Sequence, residues 1–184
     1  MTSPSSVAEL AAAIDRGERP KYVFFWGHTP GAPGIVGKEC LSQWYPSPFE
    51  VDGVIYATAE HYMMAEKARL FGDDDALARI LSVEHPGAAK RSGREVKRFE
   101  ESTWQSARIE VALRGNGAKF EQHKALRALL LRTGERVLVE ASPIDPIWGI
   151  GLAATDERVM HPLRWPGENL LGFALMEVRN RLVQ

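Results

Sequence analysis

At 184 residues, with 45% hydrophobic and 26% charged side chains, the chain is long enough for one globular domain that buries its core without disulfides. It contains no apolar run of the roughly 18 to 20 residues that a membrane-spanning helix needs, and a formal net charge of -1 argues against attachment to nucleic acid by bulk electrostatics, though not against a local basic site. The single Cys40 excludes an internal bridge and suits a reducing cytoplasm, while His28, His61, His85, His123 and His161 are too scattered to suggest a metal.

The start, Met-Thr-Ser-Pro-Ser-Ser, lacks the basic region of a secretion signal, and Val7 to Arg16 reads as a short helix stopped at Gly17. Lys21 to Trp26 is an aromatic and β-branched run expected to form a buried strand. Gly27, Pro30, Gly31, Pro33, Gly34 and Gly37 then break any regular element, predicting a surface loop placed over a site. Trp44 to Val51, an Asp52-Gly53 turn and Val-Ile-Tyr56 predict a small hairpin.

Thr58 is placed to cap a helix running from Ala59 to Phe71, and Glu60 falls in its first turn, where the helix dipole favours an acid. Glu60, Met64, Lys67 and Phe71 share a face, with Glu60 and Lys67 about 10 Å apart along the axis, so the two charges do not simply pair. Further helices are expected over Asp74 to Leu81, Pro86 to Lys97, Glu101 to Arg114 and Phe120 to Arg132, the last ended by Thr133-Gly134. Val137 to Glu140 is a second strand, followed by an irregular loop holding Pro143, Pro146, Gly149 and Gly151. Past an irregular stretch from Ala153 to Gly167, the final helix, Glu168 to Leu182, points Leu171, Leu175, Val178 and Leu182 inward. With no internal repeat or linker, the expected fold is one mainly α (α+β) compact domain with a small β element.

Several familiar chemistries are argued against. Gly149-Ile-Gly151-Leu-Ala-Ala154 has the spacing of a dinucleotide fingerprint but follows a proline-rich loop rather than a strand. Ser42, Ser47 and Ser142 lack the nucleophile elbow of an α/β-hydrolase, and Cys40 has no catalytic partner nearby in sequence. Lys90, Arg91, Arg94, Lys97 and Arg98 form a basic cluster in which Arg91, Arg94 and Arg98 are expected on one helical face, either as a solvated surface or as a phosphate site. Read singly, Glu60 satisfies a helix dipole, Trp104 packs a core and Asp145 makes an Asx turn before Pro146.

Read together they say more. Ser42-Gln-Trp-Tyr-Pro, Glu60-His-Tyr, Gly93-Arg94, Trp104, Lys119-Phe-Glu-Gln-His123, Leu138-Val-Glu-Ala-Ser142, Asp145-Pro-Ile-Trp148-Gly-Ile-Gly151 and Asn169-Leu-Leu-Gly-Phe-Ala-Leu-Met-Glu-Val-Arg179 stand in one order across the chain. From about Tyr22 to Leu182 this order closely resembles the NADAR, or YbiA-like, family. The resemblance implies a single compact domain of orthogonal helices with a small β element over residues 21–184, with residues 1–20 as a helical lead-in. It implies an N-glycosidase that needs no cofactor and no metal, hydrolysing the N-ribosyl bond of a phosphorylated ribosylamine, an early intermediate of riboflavin synthesis, to ribose 5-phosphate and a free base. Two alternatives come with it: removal of ADP-ribose from guanine in DNA, and a non-catalytic module that binds NAD or ADP-ribose.

Glu60, Trp104 and Asp145 match positions proposed as catalytic in that family. Two carboxylates suit the chemistry, because one can stabilise positive charge on the ribosyl carbon while the other handles water or the leaving nitrogen; an indole can stack on the base or sugar. Two acids also speak against a pure binder. Asp145 is assigned to the anomeric carbon and its water, Glu60 to the ribose hydroxyls or proton transfer. Arg94 is the favoured phosphate ligand, with Lys67 and Lys119 beside it, and Ser42, Trp148 and Asn169 are expected to line the pocket. The chain departs from the family at Gln43-Trp44, where Asn-Phe is common, and at Met63-Met64-Ala-Glu66, where Phe-Gln-Ala-Gln is common; both departures bear on substrate choice. The expected partner is a small phosphorylated ribosyl compound, or ADP-ribosylated DNA under the first alternative.

Overall fold

In the computed structural model, residues 3–31 and 34–183 are described; Ala32 and Pro33 of the predicted Gly/Pro loop lie outside them. The helices are α1 (Val7–Asp15), α2 (Ala59–Leu70), α3 (Asp74–Ser82), α4 (Pro86–Arg94), α5 (Glu101–Gln122), α6 (Lys124–Arg132) and α7 (Leu170–Val183). The strands are β1 (Tyr22–Phe25), β2 (Phe49–Val51), β3 (Val54–Tyr56) and β4 (Val137–Glu140). The class is the expected one, mainly α with a small β element. The chain divides into two compact units, Gln43–Lys124 and the combination of Met1–Ser42 with Ala125–Gln184.

The continuous unit is built around α2. Its hairpin pairs Phe49 with Tyr56 and Val51 with Val54, and the two turn residues, Asp52 at φ 52° and Gly53 at φ 77°, both take the left-handed conformation that a tight two-residue hairpin demands. Gln122 then binds the outer edge of β2, accepting from the Glu50 N–H at 2.9 Å and donating to the Glu50 carbonyl at 2.8 Å. Phe49, Tyr56 and Tyr62 form an aromatic cluster with ring centroids 5.1 to 6.0 Å apart. Helix α2 packs against α3, α4 and α5, and almost every one of its residues up to Ala65 is buried.

Two glycines set how closely α2 is approached. A Cβ on Gly93 would lie 2.1 Å from the Met64 Sδ, and one on Gly115 would lie 2.4 Å from Cδ1 of Tyr62. Gly115 corrects the sequence reading. Two helices were expected, over Glu101 to Arg114 and over Phe120 to Arg132, but α5 runs unbroken from Glu101 to Gln122, through Gly115, and the break falls at His123. The glycine is there for packing, and close packing outweighs its helix propensity cost of about 1 kcal/mol.

A second correction concerns the basic cluster. Helix α4 ends at Arg94 rather than Lys97, so Arg98 does not share a helical face with Arg91 and Arg94. Arg98 sits at φ 58° and turns back to donate to the carbonyls of Phe71 and Gly72, satisfying the C-terminal end of α2.

The discontinuous unit holds β1 and β4 as a parallel pair, Tyr22 beside Val137 and Phe25 beside Glu140. Leu138 and Val139 are completely buried, and α7 packs on β4 with Leu171, Leu175, Val178 and Leu182 buried as its periodicity predicted. Gly172 permits this approach, since a Cβ there would lie 2.1 Å from the Leu138 carbonyl oxygen. Helix α1, ended by Gly17 at φ 94°, belongs to the same unit and packs against a short 3-10 turn at Pro162–Arg164 within the stretch read as irregular. No helix among the described residues is long and apolar enough to cross a membrane.

Candidate active site

The sequence-predicted residues fall in two regions, one in each unit. In the continuous unit the site is laid out along α2. Thr58 caps the helix, its hydroxyl accepting from the His61 N–H at 3.4 Å. The His61 ring is held at both nitrogens: Nε2 donates to the Val83 carbonyl at 3.1 Å, which requires the proton there, and Nδ1 lies 2.8 Å from the Thr58 hydroxyl and accepts from it. Burial pushes the His61 pKa below its usual value, with His85 adding to the effect against the Val83 bond. The imidazole beside Glu60 is therefore a neutral part of the cap.

Glu60 is 2% exposed, and its backbone N–H donates to the Gln43 carbonyl at 3.0 Å. This bond fastens the Gln43 backbone to the first turn of α2. Gln43 is itself 5% exposed, and neither end of its side-chain amide has a hydrogen-bond partner among the described residues.

Two turns further along α2, Lys67 places its ammonium 4.0 Å from the ring centroid of Phe99 and 5.8 Å from that of Trp104. Burial lowers its pKa; Glu101 partly offsets this and Arg94 reinforces it. A partly desolvated ammonium on an aromatic floor, with a second cation close enough to repel it, is an arrangement that an incoming anion relieves. Trp104 is 8% exposed, whereas Arg94 reaches solvent from the last residue of α4. Lys119, from the same α5 as Trp104, is completely buried, its ammonium 5.2 Å from the Phe120 ring and 5.8 Å from the Tyr45 ring. Phe99 was not singled out from the sequence; an aromatic just ahead of a helix carries no signal beyond its type.

In the discontinuous unit, Asp145 lies in the loop after β4. Its Oδ1 accepts from the Ile147 N–H at 3.0 Å and the Trp148 N–H at 2.9 Å, an Asx turn that fixes the carboxyl's orientation. The loop is rigidly held: the backbone N–H groups of Glu168, Asn169, Leu170 and Leu171 donate to the carbonyls of Pro146, Gly149, Ile147 and Trp148 at 2.9 to 3.3 Å. Gly149 allows the crowding, because a Cβ there would come within 2.8 Å of the Glu140 carbonyl. The segment from Gly149 to Ala154 opens no helix, so it lacks the helix N-terminus a dinucleotide fingerprint requires.

Asn169 is fully buried at φ 54°, and both ends of its amide are engaged: Oδ1 accepts from the Glu140 N–H at 3.0 Å and Nδ2 donates to the Leu138 carbonyl at 2.9 Å. It ties the start of α7 to β4. Trp148 is half-buried, its carbonyl accepting from the Leu171 N–H at 3.1 Å, and Ser42 is buried immediately after the 3-10 turn Lys38–Leu41.

These features belong to a chain with recognisable relatives. The NADAR domain model matches residues 24–183, spanning both units. The chain is 40% identical to N-glycosidase R617 of Acanthamoeba polyphaga mimivirus over 88% of its own length and 96% of that protein. It is 38% identical to N-glycosidase YbiA of Escherichia coli, over 73% of this chain and 76% of the relative. The NMR structure of Escherichia coli YbiA has a TM-score of 0.71 to this fold at 31% identity, covering 90% of this chain and 87% of that one. With a family model covering most of its length and a 40% identical relative matched over 96% of its own length, the chain belongs to the NADAR domain family.

Proposed function

We propose that this protein is an N-glycosidase that hydrolyses the N-ribosyl bond of a phosphorylated ribosylamine, of the kind formed early in riboflavin synthesis, to ribose 5-phosphate and a free base. The class of reaction rests on the relatives named N-glycosidase. The observation that carries the reading is Glu60, a carboxylate 2% exposed in the first turn of α2, in a chain 40% identical to one of those relatives. A carboxylate fixed in a water-poor setting can stabilise the positive charge that develops on a ribosyl carbon.

In the reaction the bonding pair of the C1–N bond leaves with the nitrogen, which takes up a proton, while water adds its oxygen to C1 and gives up a proton. Positive charge accumulates on the sugar between these events, and a preorganised carboxylate in a water-poor setting stabilises it far more than it would in solvent. Glu60 is assigned that charge or the ribose hydroxyls, Trp104 a stacking face, and Asp145 the attacking water; the Asx turn, which holds the Asp145 carboxyl still, supports a positioning task. Lys67 and Arg94 are assigned the 5-phosphate. The lowered Lys67 pKa supports this, since a phosphate restores the environment that its charge lacks.

The test is release of ribose 5-phosphate from a riboflavin-pathway ribosylamine by wild type and Glu60→Gln, run beside release of ADP-ribose from ADP-ribosylated guanine DNA. Wild type is expected to release ribose 5-phosphate, and Glu60→Gln to lose activity by about 100- to 1,000-fold, the usual scale for one preorganised electrostatic group. ADP-ribose release alone would reassign the substrate, and silence from folded wild type on both would overturn the reading.

A further inference from the structure

At the α2 opening, among the described residues, Gln43 has both ends of its side-chain amide out of water with nothing to bind, whereas Tyr62 leaves only its hydroxyl so. Gln43 is 95% removed from solvent, and both its Nε2 and its Oε1 are buried without a hydrogen-bond partner among the described residues. Its backbone is not adrift: the Gln43 carbonyl receives the Glu60 N–H at 3.0 Å, so the position of the residue relative to the buried acid is fixed. A primary amide left in this state costs the fold free energy, because it forfeits its bonds to water on both its donor and its acceptor side. A leucine or methionine would fill the same space at no such cost. Contrast Tyr45 and Trp44, its neighbours, whose rings lie against Lys119 and His85.

We propose that the Gln43 amide is a substrate-reading group of the Glu60 region, pairing with a ligand group that presents a hydrogen-bond donor and an acceptor side by side. This rests on the glycosidase reading above and deepens it. An amide offers one acceptor and two donor hydrogens in a plane, so its complement is either the vicinal hydroxyl pair of a ribose or the lactam or carboxamide edge of a base. Both give the same chemistry at Gln43. Discrimination follows from the same physics: a ligand without the matching pair leaves the amide unsatisfied in the complex as well, and is rejected.

The experiment compares wild type with Gln43→Met, which keeps volume and removes the amide, and Gln43→Asn, which keeps the amide but draws it back by one methylene. Because the amide is unsatisfied in the free protein, Gln43→Met is expected to melt at or above the wild-type temperature while its kcat/KM for the phosphorylated ribosylamine falls roughly 10- to 100-fold. Gln43→Asn is expected to fall between the two. Product inhibition separates the sources: weaker inhibition of Gln43→Met by ribose 5-phosphate assigns the amide to the sugar, and weaker inhibition by the free base assigns it to the base. A melting temperature several degrees below wild type would show the amide to be satisfied within the fold, by an ordered water for instance, and would overturn the proposal, as would kcat/KM within twofold of wild type. If wild type hydrolyses neither glycosidic substrate, the glycosidase reading fails separately, and calorimetric titration with ribose 5-phosphate and ADP-ribose decides this one. Tighter binding to wild type than to Gln43→Met sustains it; equal binding, or none, overturns it.

Discussion

Two buried carboxamides, one in each unit, have been treated in opposite ways. Asn169 spends both ends of its amide on the backbone of β4, and in doing so fixes the start of α7. Gln43, equally withdrawn from water, spends neither end, and only its main chain is tied, to the first turn of α2. The difference separates a polar group that holds the fold together from one that weakens it. Groups of the first kind explain architecture, and for Gln43, of the second kind, the proposed explanation is a ligand.

The contrast breaks most visibly at Asn169. Asn169→Ala strands the Leu138 carbonyl and the Glu140 N–H in a buried setting, and about 2 to 4 kcal/mol of unfolding free energy is expected to be lost in urea titrations. Asn169→Gly supplies the chemistry-free control, since glycine accepts φ 54° without strain; stability equal to wild type in that variant would show that the clamp contributes nothing. On the α2 side, Gly115→Ala tests packing without touching any polar group. Its new Cβ would meet the Tyr62 ring at 2.4 Å, and overpacking is expected to outweigh the helix propensity gain by about 1 to 2 kcal/mol. A rise in melting temperature would contradict this.

Lys67 carries a burial cost that the Phe99 and Trp104 rings and Glu101 offset only in part, since its pKa stays lowered. Lys67→Met is expected to raise KM for the phosphorylated substrate about tenfold, with little change in kcat or for a substrate lacking the phosphate, and without loss of stability. Equal effects on both substrates would remove Lys67 from phosphate recognition. The smallest effect is assigned to His61, a satisfied group like Asn169. Its folded pKa lies below the unfolded value of 6.5, so the unfolded chain binds the proton more readily. The stability that His61 contributes is complete above pH 6.5 and drains away as pH falls through the lowered folded value. Melting curves between pH 7 and pH 5 are expected to show a decline that His61→Gln flattens.

Much of the secondary structure was legible because its signals are local. Thr58 and its following apolar period located α2, Asp52-Gly53 located the hairpin, and the 3.6-residue spacing of Leu171, Leu175, Val178 and Leu182 located α7. Readings that failed depended on partners distant in sequence. Gly115 fell in the gap between two expected helices until Tyr62 supplied the reason for its missing Cβ, and Arg98 looked like a member of a basic face until α2's last carbonyls claimed it. The parallel pairing of β1 with β4 has no local mark at all. For the candidate site, residue type and order proposed Glu60, Trp104, Asp145, Lys67 and Arg94, but the engaged amide of Asn169 and the idle one of Gln43 read alike in sequence, because hydrogen-bond satisfaction is a property of surroundings.

The pairing of β1 with β4 also orders the events of synthesis. Gln43–Lys124 is one uninterrupted stretch, so its hairpin and the helices around α2 can close as soon as they leave the ribosome. The other unit joins the first segment of the chain to the last, and β1 has no strand to pair with until Val137–Glu140 has been made. The protein's birth is therefore staggered: the unit bearing Glu60 can be shaped first, and the amino-terminal segment must wait, unpaired, for the carboxy-terminal end to arrive.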